Sequence, residues 1–118
     1  MQATDKGAKR LVRASLCSLT GLRCAFREEA FRLEVYVATI LVPLVFLLTG
    51  SATERALLIG VLGLVLVTEV LNTAIERTVD RISPDNHELS RDAKDLGSAA
   101  VFLSVLLAIA VWVLILLV

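Results

Sequence analysis

Residues 56–81, ALLIGVLGLVLVTEVLNTAIERTVDR, decide the fold because an apolar run continues without a break into charged residues. The first half suits hydrocarbon, whereas the second half carries carboxylates and an amide. An α-helix turns about 100° per residue. One face of such a helix therefore carries Glu69, Asn72, Thr73, Glu76 and Asp80. Ionisable groups inside a membrane span are costly, rarely face lipid and usually mark function, so this stretch predicts a spanning helix with a polar site.

The composition favours a membrane protein. Of the 118 residues, 57% are hydrophobic, and the mean hydropathy is +0.79. Soluble domains contain roughly 45–50% apolar residues, and a soluble chain of this length has too little interior to bury more. The net charge of zero gives no case for nucleic acid as a partner. Residues 1–16 lack the apolar core of a signal peptide, and the length allows a single domain, residues 1–118.

Three segments are apolar and long enough to cross a bilayer, which takes about 20 helical residues. They are residues 33–50, 56–79 and 96–118. Pro43 predicts a kink in the first segment. Short loops join the three segments, so they should pack as a bundle. The predicted fold class is therefore an all-α membrane protein with three transmembrane helices.

The basic residues predict how the bundle is oriented. They cluster before the first span and between the second and third, whereas the first loop has only Arg55 and the C-terminus has none. The positive-inside rule places the N-terminus and residues 77–95 in the cytoplasm and the C-terminus outside. Residues 8–29 combine arginines with an apolar stripe, which predicts an amphipathic helix at the cytoplasmic interface. The alternative is that this helix packs on another protein.

A second polar cluster lies in residues 83–100, SPDNHELSRDAKDLGSAA, where Lys94 and Asp95 lead into the third span. A further carboxylate, Glu28 or Glu29, lies where the surface helix meets the first span. Oxygen ligands without paired histidines suit Mg²⁺. Enzymes that transfer phosphoryl groups use a lysine and Mg²⁺ beside carboxylates. A pathway for ions is an equally good interpretation of the same residues.

The remaining sequence features say less about function. The chain has no Walker sequence and no glycine-rich nucleotide loop, which excludes the common soluble kinase folds. Cys17 and Cys24 form no metal-binding motif and are interpreted as small packing residues. His87 taken alone is more typical of a solvated loop.

Residues 69–101, EVLNTAIERTVDRISPDNHELSRDAKDLGSAAV, resemble the signature region of the prokaryotic diacylglycerol kinase family. Residues 21–34, GLRCAFREEAFRLE, are similar to the N-terminal motif of that family. The resemblance implies a small kinase of the cell inner membrane that works as a homotrimer. Such kinases move the γ-phosphoryl group of ATP to a lipid hydroxyl with Mg²⁺. The HELS loop is closer to the diacylglycerol branch than to the undecaprenol branch.

The resemblance also implies roles for individual residues. Glu69 matches the catalytic base and Asn72 a polar group that supports the site, while Glu28 and Glu76 match the Mg²⁺ ligands. The implied ATP contacts are Arg10, Cys17, Glu28, Glu76, Asp85, Asn86, His87, Lys94 and Asp95. The implied contacts with the lipid substrate are Arg10, Ser15, Arg23, Phe31, Glu34, Glu69 and Ser98.

The chain departs from the family pattern at two places. It reads REEAFR where the family usually has one glutamate, so counting back from Phe31 selects Glu28 as the metal ligand, and counting forward from Gly21 could select Glu29. Cys17 stands where a tyrosine often lies near the nucleotide. The leading hypothesis is phosphorylation of diacylglycerol. The alternatives are an undecaprenol kinase and a non-enzymatic ion-pathway subunit.

Overall fold

The computed structural model describes residues 2–82 and 87–118, with the backbone alone for residues 2–5. This part of the chain forms four α-helices: α1 Gln2–Ala25, α2 Glu29–Leu48, α3 Ala52–Ile82 and α4 Glu88–Leu117. Helices α2, α3 and α4 are long and apolar enough to cross a membrane. The prediction of an all-α chain with three helices long and apolar enough to cross a membrane is therefore confirmed.

The helix bounds differ from those expected from hydropathy. α2 begins before residue 33 and runs through Pro43, and α4 begins eight residues before residue 96, at Glu88. Backbone hydrogen bonding continues through polar residues, so a helix does not stop where hydropathy falls. The predicted surface helix, residues 8–29, corresponds to α1, and residues 26–28 form a turn instead. Asp85 and Asn86 lie outside the described residues.

The turn between α1 and α2 is fixed by side chains of α2. Nη1 of Arg32 donates hydrogen bonds to the carbonyl oxygens of Phe26, at 2.8 Å, and Arg27, at 3.0 Å. The carbonyl groups that follow the last turn of α1 thus gain partners that the helix cannot supply. The rings of Phe26 and Phe31 meet edge to face at 5.2 Å. The turn therefore holds Glu28, the residue before α2, in a defined place.

The turn between α2 and α3 is also fixed by hydrogen bonds from side chains to backbone groups. The Ser51 hydroxyl accepts a hydrogen bond from the backbone N–H of Glu54 at 3.3 Å, as an N-cap does. Nε of Arg55 donates to the carbonyl oxygen of Thr49 at 2.8 Å, and its guanidinium lies 4.8 Å from the centre of the Phe46 ring. Helices α2 and α3 are thereby joined as an antiparallel hairpin.

α3 and α4 pack along a seam of small and polar residues. The hydroxyl groups of Thr68 and Ser104 are 2.9 Å apart, and Nε1 of Trp112 donates to the carbonyl oxygen of Leu58 at 3.2 Å. Between these contacts Ala108 packs on a core formed with Val61, Val65, Val105, Val111 and Trp112. Small residues let helix backbones approach closely in lipid. The seam therefore sets the position of the polar face of α3 relative to α4.

α1 projects from this bundle. Residues 6–23 are exposed, including large apolar side chains such as Leu11 and Leu16. Helices of about 30 residues are about 45 Å long and pack 8–10 Å apart, so a bundle of three is long in one direction only. The chain measures 51 × 46 × 21 Å, and its second long dimension comes from α1. The C-terminal end of α1 joins the bundle, where Ala25 is buried.

Candidate active site

The polar face of α3 is buried against protein. Glu69, Asn72 and Thr73 are 8%, 8% and 9% exposed, whereas Leu71 on the opposite side is 58% exposed. The Thr73 hydroxyl donates a hydrogen bond of 3.1 Å to the carbonyl oxygen of Glu69. Carboxylates and amides are rarely buried unless they are paired or functional. The candidate site is therefore centred on Glu69.

Glu34, on α2, lies beside Glu69, and the two carboxyl groups are close enough to share a hydrogen bond. Among the described residues, Oε2 of Glu34 is buried without a hydrogen-bond partner. Two carboxyl groups held together away from water repel one another when both are charged. The resemblance implies a lipid contact for Glu34, and the structure adds its place next to Glu69. The signal available in the sequence was that both residues interrupt apolar stretches, Glu34 near the start of α2 and Glu69 in the second half of α3, which an antiparallel hairpin brings together.

Asn72 connects Glu76 with α4. Its Nδ2 donates a hydrogen bond of 3.1 Å to Oε1 of Glu76. Its Oδ1 is buried and has no partner within the described part of the chain. Gly97 of α4 packs directly on this amide: a Cβ there would overlap Oδ1, and would lie 3.4 Å from Cγ of Asn72. A glycine at this position is what lets α4 approach the polar face.

Glu28 and Glu76 both lie near Glu69, close enough for their charges to act on it. Oε1 of Glu28 is 3.0 Å from Nη2 of Arg77, and Nη1 of the same arginine contacts the Cys24 sulfur. Glu29, the alternative ligand, is exposed in the first turn of α2. The structure thus brings Glu28 to the carboxylate cluster.

The carboxylates fit a metal ion that arrives with a nucleotide. Within residues 2–82 and 87–118, no group of three or more His, Cys, Asp or Glu side chains is arranged to hold a metal ion. Mg²⁺ is usually bound by one or two protein carboxylates together with waters and substrate phosphates. Glu28 and Glu76 supply two such carboxylates, so the donor set fits Mg²⁺ bound to a triphosphate.

The start of α4 places the second polar cluster one turn beyond Glu76. Nζ of Lys94 is 2.5 Å from Oδ1 of Asp80, so in this chain Lys94 pairs with the end of the α3 stripe. Asp95 and Ser98 are exposed on α4. His87 is the N-cap of α4, and its Nδ1 accepts a hydrogen bond of 3.1 Å from the backbone N–H of Leu89. His87 is exposed and precedes the helix, as expected for a solvated loop residue, and it also caps α4.

The predicted site residues of α1 lie away from the carboxylates of the same chain. Arg10, Ser15, Cys17 and Arg23 are all exposed. At a rise of 1.5 Å per residue, Arg10 is about 21 Å along the helix from Cys24, which contacts Arg77. Cys17 is exposed in this chain, and no packing partner for it is seen among the described residues of the same chain. Phe31, by contrast, is 3% exposed and belongs to the interior of the turn.

An apolar groove of about 290 Å³ opens beside Glu34, between α2, α3 and α4. Its walls are formed by Leu33, Glu34, Val37, Ala38, Leu62, Val65, Val105, Ala108 and Ile109. Glu34 is the charged side chain of this lining, and it adjoins Glu69. The groove thus joins an apolar wall to the carboxylate cluster.

Comparison with known proteins finds prokaryotic diacylglycerol kinases, both as a family and as individual relatives. The family model of prokaryotic diacylglycerol kinase matches residues 16–116. A diacylglycerol kinase of Pseudomonas aeruginosa is 49% identical over 112 residues, which cover 94% of this chain and 91% of that protein. The diacylglycerol kinase of Haemophilus influenzae is 45% identical over 90% of this chain and 91% of its own length. That of Escherichia coli strain K12 is 42% identical over 95% of this chain and 93% of its own length.

Proposed function

Because the chain belongs to the prokaryotic diacylglycerol kinase family, we propose that it phosphorylates the primary hydroxyl of diacylglycerol with ATP. The products are phosphatidic acid and ADP. The observation that carries this proposal is the burial of Glu69 in a helix long enough to span a membrane, with Glu34 beside it and Glu28 and Glu76 near. A carboxylate in this place suits a reaction between a lipid hydroxyl and a nucleotide.

Glu69 is the general base of the proposed reaction. Its carboxylate takes the proton of the lipid hydroxyl while the hydroxyl oxygen attacks the γ-phosphorus. The bond between the γ-phosphorus and the β–γ bridging oxygen breaks, and ADP leaves with that electron pair. Buried polar atoms without partners are costly. Oε2 of Glu34 is such an atom within the described residues, and it fits as an acceptor for a polar group of a bound substrate.

Glu28 and Glu76 would hold Mg²⁺, which when bound neutralises charge on the triphosphate. Asn72 orients Glu76 through the 3.1 Å hydrogen bond. The ATP contacts proposed for this region are Lys94, Asp95 and His87, together with Asp85 and Asn86 by resemblance to the family. Lys94 is 41% exposed and its partner Asp80 is 61% exposed. Such exposed pairs are weak, so Lys94 can exchange Asp80 for a phosphate at small cost.

The lipid substrate lies on the other side of Glu69. The groove beside Glu34 provides an apolar wall for an acyl chain and leads to the carboxyl pair. Arg23 and Ser98 are further proposed lipid contacts, and Phe31, which is 3% exposed, would support them from inside the turn between α1 and α2. The headgroup end of the substrate is then held at Glu69 while its acyl chain remains in apolar surroundings.

A homotrimer supplies what one chain lacks. Arg10, Ser15 and Cys17 are assigned to the substrates, yet they lie along α1 away from the carboxylates of their own chain. Large apolar side chains of α4, such as Phe102 and Leu114, are exposed. Neighbouring copies can cover these surfaces and bring α1 of one chain to the site of another.

The proposed location is the inner membrane, with the N-terminus in the cytoplasm and the C-terminus outside. The distribution of basic residues supports this orientation. α1 then lies in the cytoplasmic interface with its exposed leucines toward lipid and its arginines toward phosphate groups. ATP reaches the site from the cytoplasm, and the lipid reaches it from the bilayer.

The test is a lipid panel with labelled ATP and purified protein in a bilayer mimic. Diacylglycerol should be phosphorylated in preference to undecaprenol. Glu69→Gln should lower turnover by about 10²–10⁴-fold, while the matched variant Glu54→Gln, in the turn at the other end of α3, should keep it. Preferential labelling of undecaprenol would assign the other substrate of this family. Absence of any lipid-dependent ATP consumption would remove the kinase proposal.

A further inference from the structure

Arg77 joins α3 to the turn that carries a proposed metal ligand. Its Nη2 lies 3.0 Å from Oε1 of Glu28, and its Nη1 donates to the sulfur of Cys24. The residue before it in the helix is Glu76, the second proposed ligand. The guanidinium is therefore held at the carboxylate cluster that the nucleotide would enter.

The contacts of Arg77 leave it free to change partners. The side chains of Arg77 and Glu28 are 46% and 41% exposed. Exposed ion pairs contribute little to stability, so exchanging this pair for another anion costs little. A guanidinium has five N–H donors, and its planar fork matches the oxygens of a phosphate group. Its positive charge favours phosphate over the thiol of Cys24.

We propose that Arg77 is a further phosphate-binding residue of this kinase. It pairs with Glu28 while the nucleotide is absent. When Mg²⁺ and the triphosphate arrive, Glu28 turns to the metal and the guanidinium turns to the phosphate oxygens. This inference rests on the proposed function, because it requires that a nucleotide binds at Glu28 and Glu76. The exchange keeps Glu28 neutralised in both states.

The experiment measures nucleotide binding instead of turnover. Purified protein in a bilayer mimic, without lipid substrate, is titrated with ATP, ADP and adenosine in the presence of Mg²⁺. Arg77→Met should weaken ATP binding about tenfold, the value of one charge-assisted hydrogen bond. Adenosine binding should be unchanged, because adenosine has no phosphate. Arg77→Lys keeps the charge without the fork and should retain part of the affinity.

Arg81→Met is the matched control, since Arg81 is an exposed arginine one turn further along α3. It removes the same charge and should leave ATP binding within about twofold of the original, because long-range effects of exposed charges are screened. Equal weakening of ATP and adenosine by Arg77→Met would show a purely structural role and overturn the proposal. Unchanged ATP binding would overturn it as well. If the unaltered protein binds no nucleotide, the proposed function itself fails, which is a distinguishable result.

Discussion

Nδ2 of Asn72 donates a 3.1 Å hydrogen bond to Oε1 of Glu76, one helical turn further along the buried face of α3. The side chain of Asn72 fits there because Gly97 of α4 has no Cβ to occupy the same space. The orientation of a proposed Mg²⁺ ligand thus depends on how closely α4 packs against α3.

Gly97→Ala should therefore disturb both stability and binding. The added methyl group overlaps Oδ1 of Asn72, and overpacking of this kind costs about 1–3 kcal/mol. Reversible unfolding in mixed micelles measures that loss, and Mg²⁺-dependent nucleotide binding measures the displacement of Glu76. Gly63→Ala is the control, because a Cβ there meets nothing within 4 Å. Equal effects of the two variants would contradict the packing argument.

Replacement of Glu34 should distinguish a polar neighbour of Glu69 from a lipid-facing residue. Glu34→Gln keeps a group that can donate a hydrogen bond to Glu69, whereas Glu34→Leu removes it and buries the base beside an apolar side chain. Turnover should therefore fall further in Glu34→Leu than in Glu34→Gln, by about tenfold, the value of one hydrogen bond to a charged group. Turnover at saturating lipid and ATP is the measurement, and equal turnover of the two variants would count against the pairing.

Replacing either carboxylate proposed as a metal ligand should change the Mg²⁺ dependence of nucleotide binding, whereas replacing the exposed neighbour Glu29 should not. Glu28→Gln and Glu76→Leu should each raise the Mg²⁺ concentration needed for nucleotide binding, because each removes an oxygen ligand with its charge. Glu29→Gln is the matched control for the first variant and should leave that concentration unchanged. An unaltered Mg²⁺ dependence in Glu76→Leu would remove Glu76 from the metal. The opposite ranking of Glu28 and Glu29 would move the ligand by one residue.

Filling the groove should affect long acyl chains selectively. Val37 lines it, so Val37→Trp places a large ring in the space proposed for an acyl chain. KM should rise several-fold for a diacylglycerol with long chains and stay unchanged for one with short chains. Lipid tails are as apolar as aliphatic side chains. The rise in KM therefore comes from the loss of space for the acyl chain and stays modest. Ile40→Trp is the control, because Ile40 is 70% exposed on the same helix and does not line the groove.

Periodicity and hydropathy were good guides to the helices but poor guides to their ends. Three spans and a buried polar face on α3 were predicted, because both depend on residues close in sequence. The bounds of α4 were not, since Glu88–Asp95 are polar yet helical. His87 illustrates the same limit: its role as an N-cap depends on backbone geometry, which composition does not reveal.

The sequence predicted the individual residues of the site, but it did not predict which side chains of other helices they contact. Glu34 was expected beside the lipid, and its place next to Glu69 came from the packing of α2 against α3. The sequence indicates for Arg77 only that it belongs to the basic segment 77–95, whereas its contact with Glu28 bridges 49 residues of sequence. Lys94 was expected to contact ATP, and in this chain it pairs with Asp80. Which charges meet depends on helix rotation and depth, and many rotations are compatible with the same hydropathy.

The amino-acid sequence alone determined that this chain has three segments apolar and long enough to cross a membrane and that the second of them carries carboxylates, because both properties depend only on the residues within each segment. Only the tertiary structure decided that Glu28 rather than Glu29 approaches Glu69, that Arg77 neutralises Glu28, and that Gly97 makes room for Asn72. These relationships arise where separate helices meet, and the distances between their side chains are set by close packing.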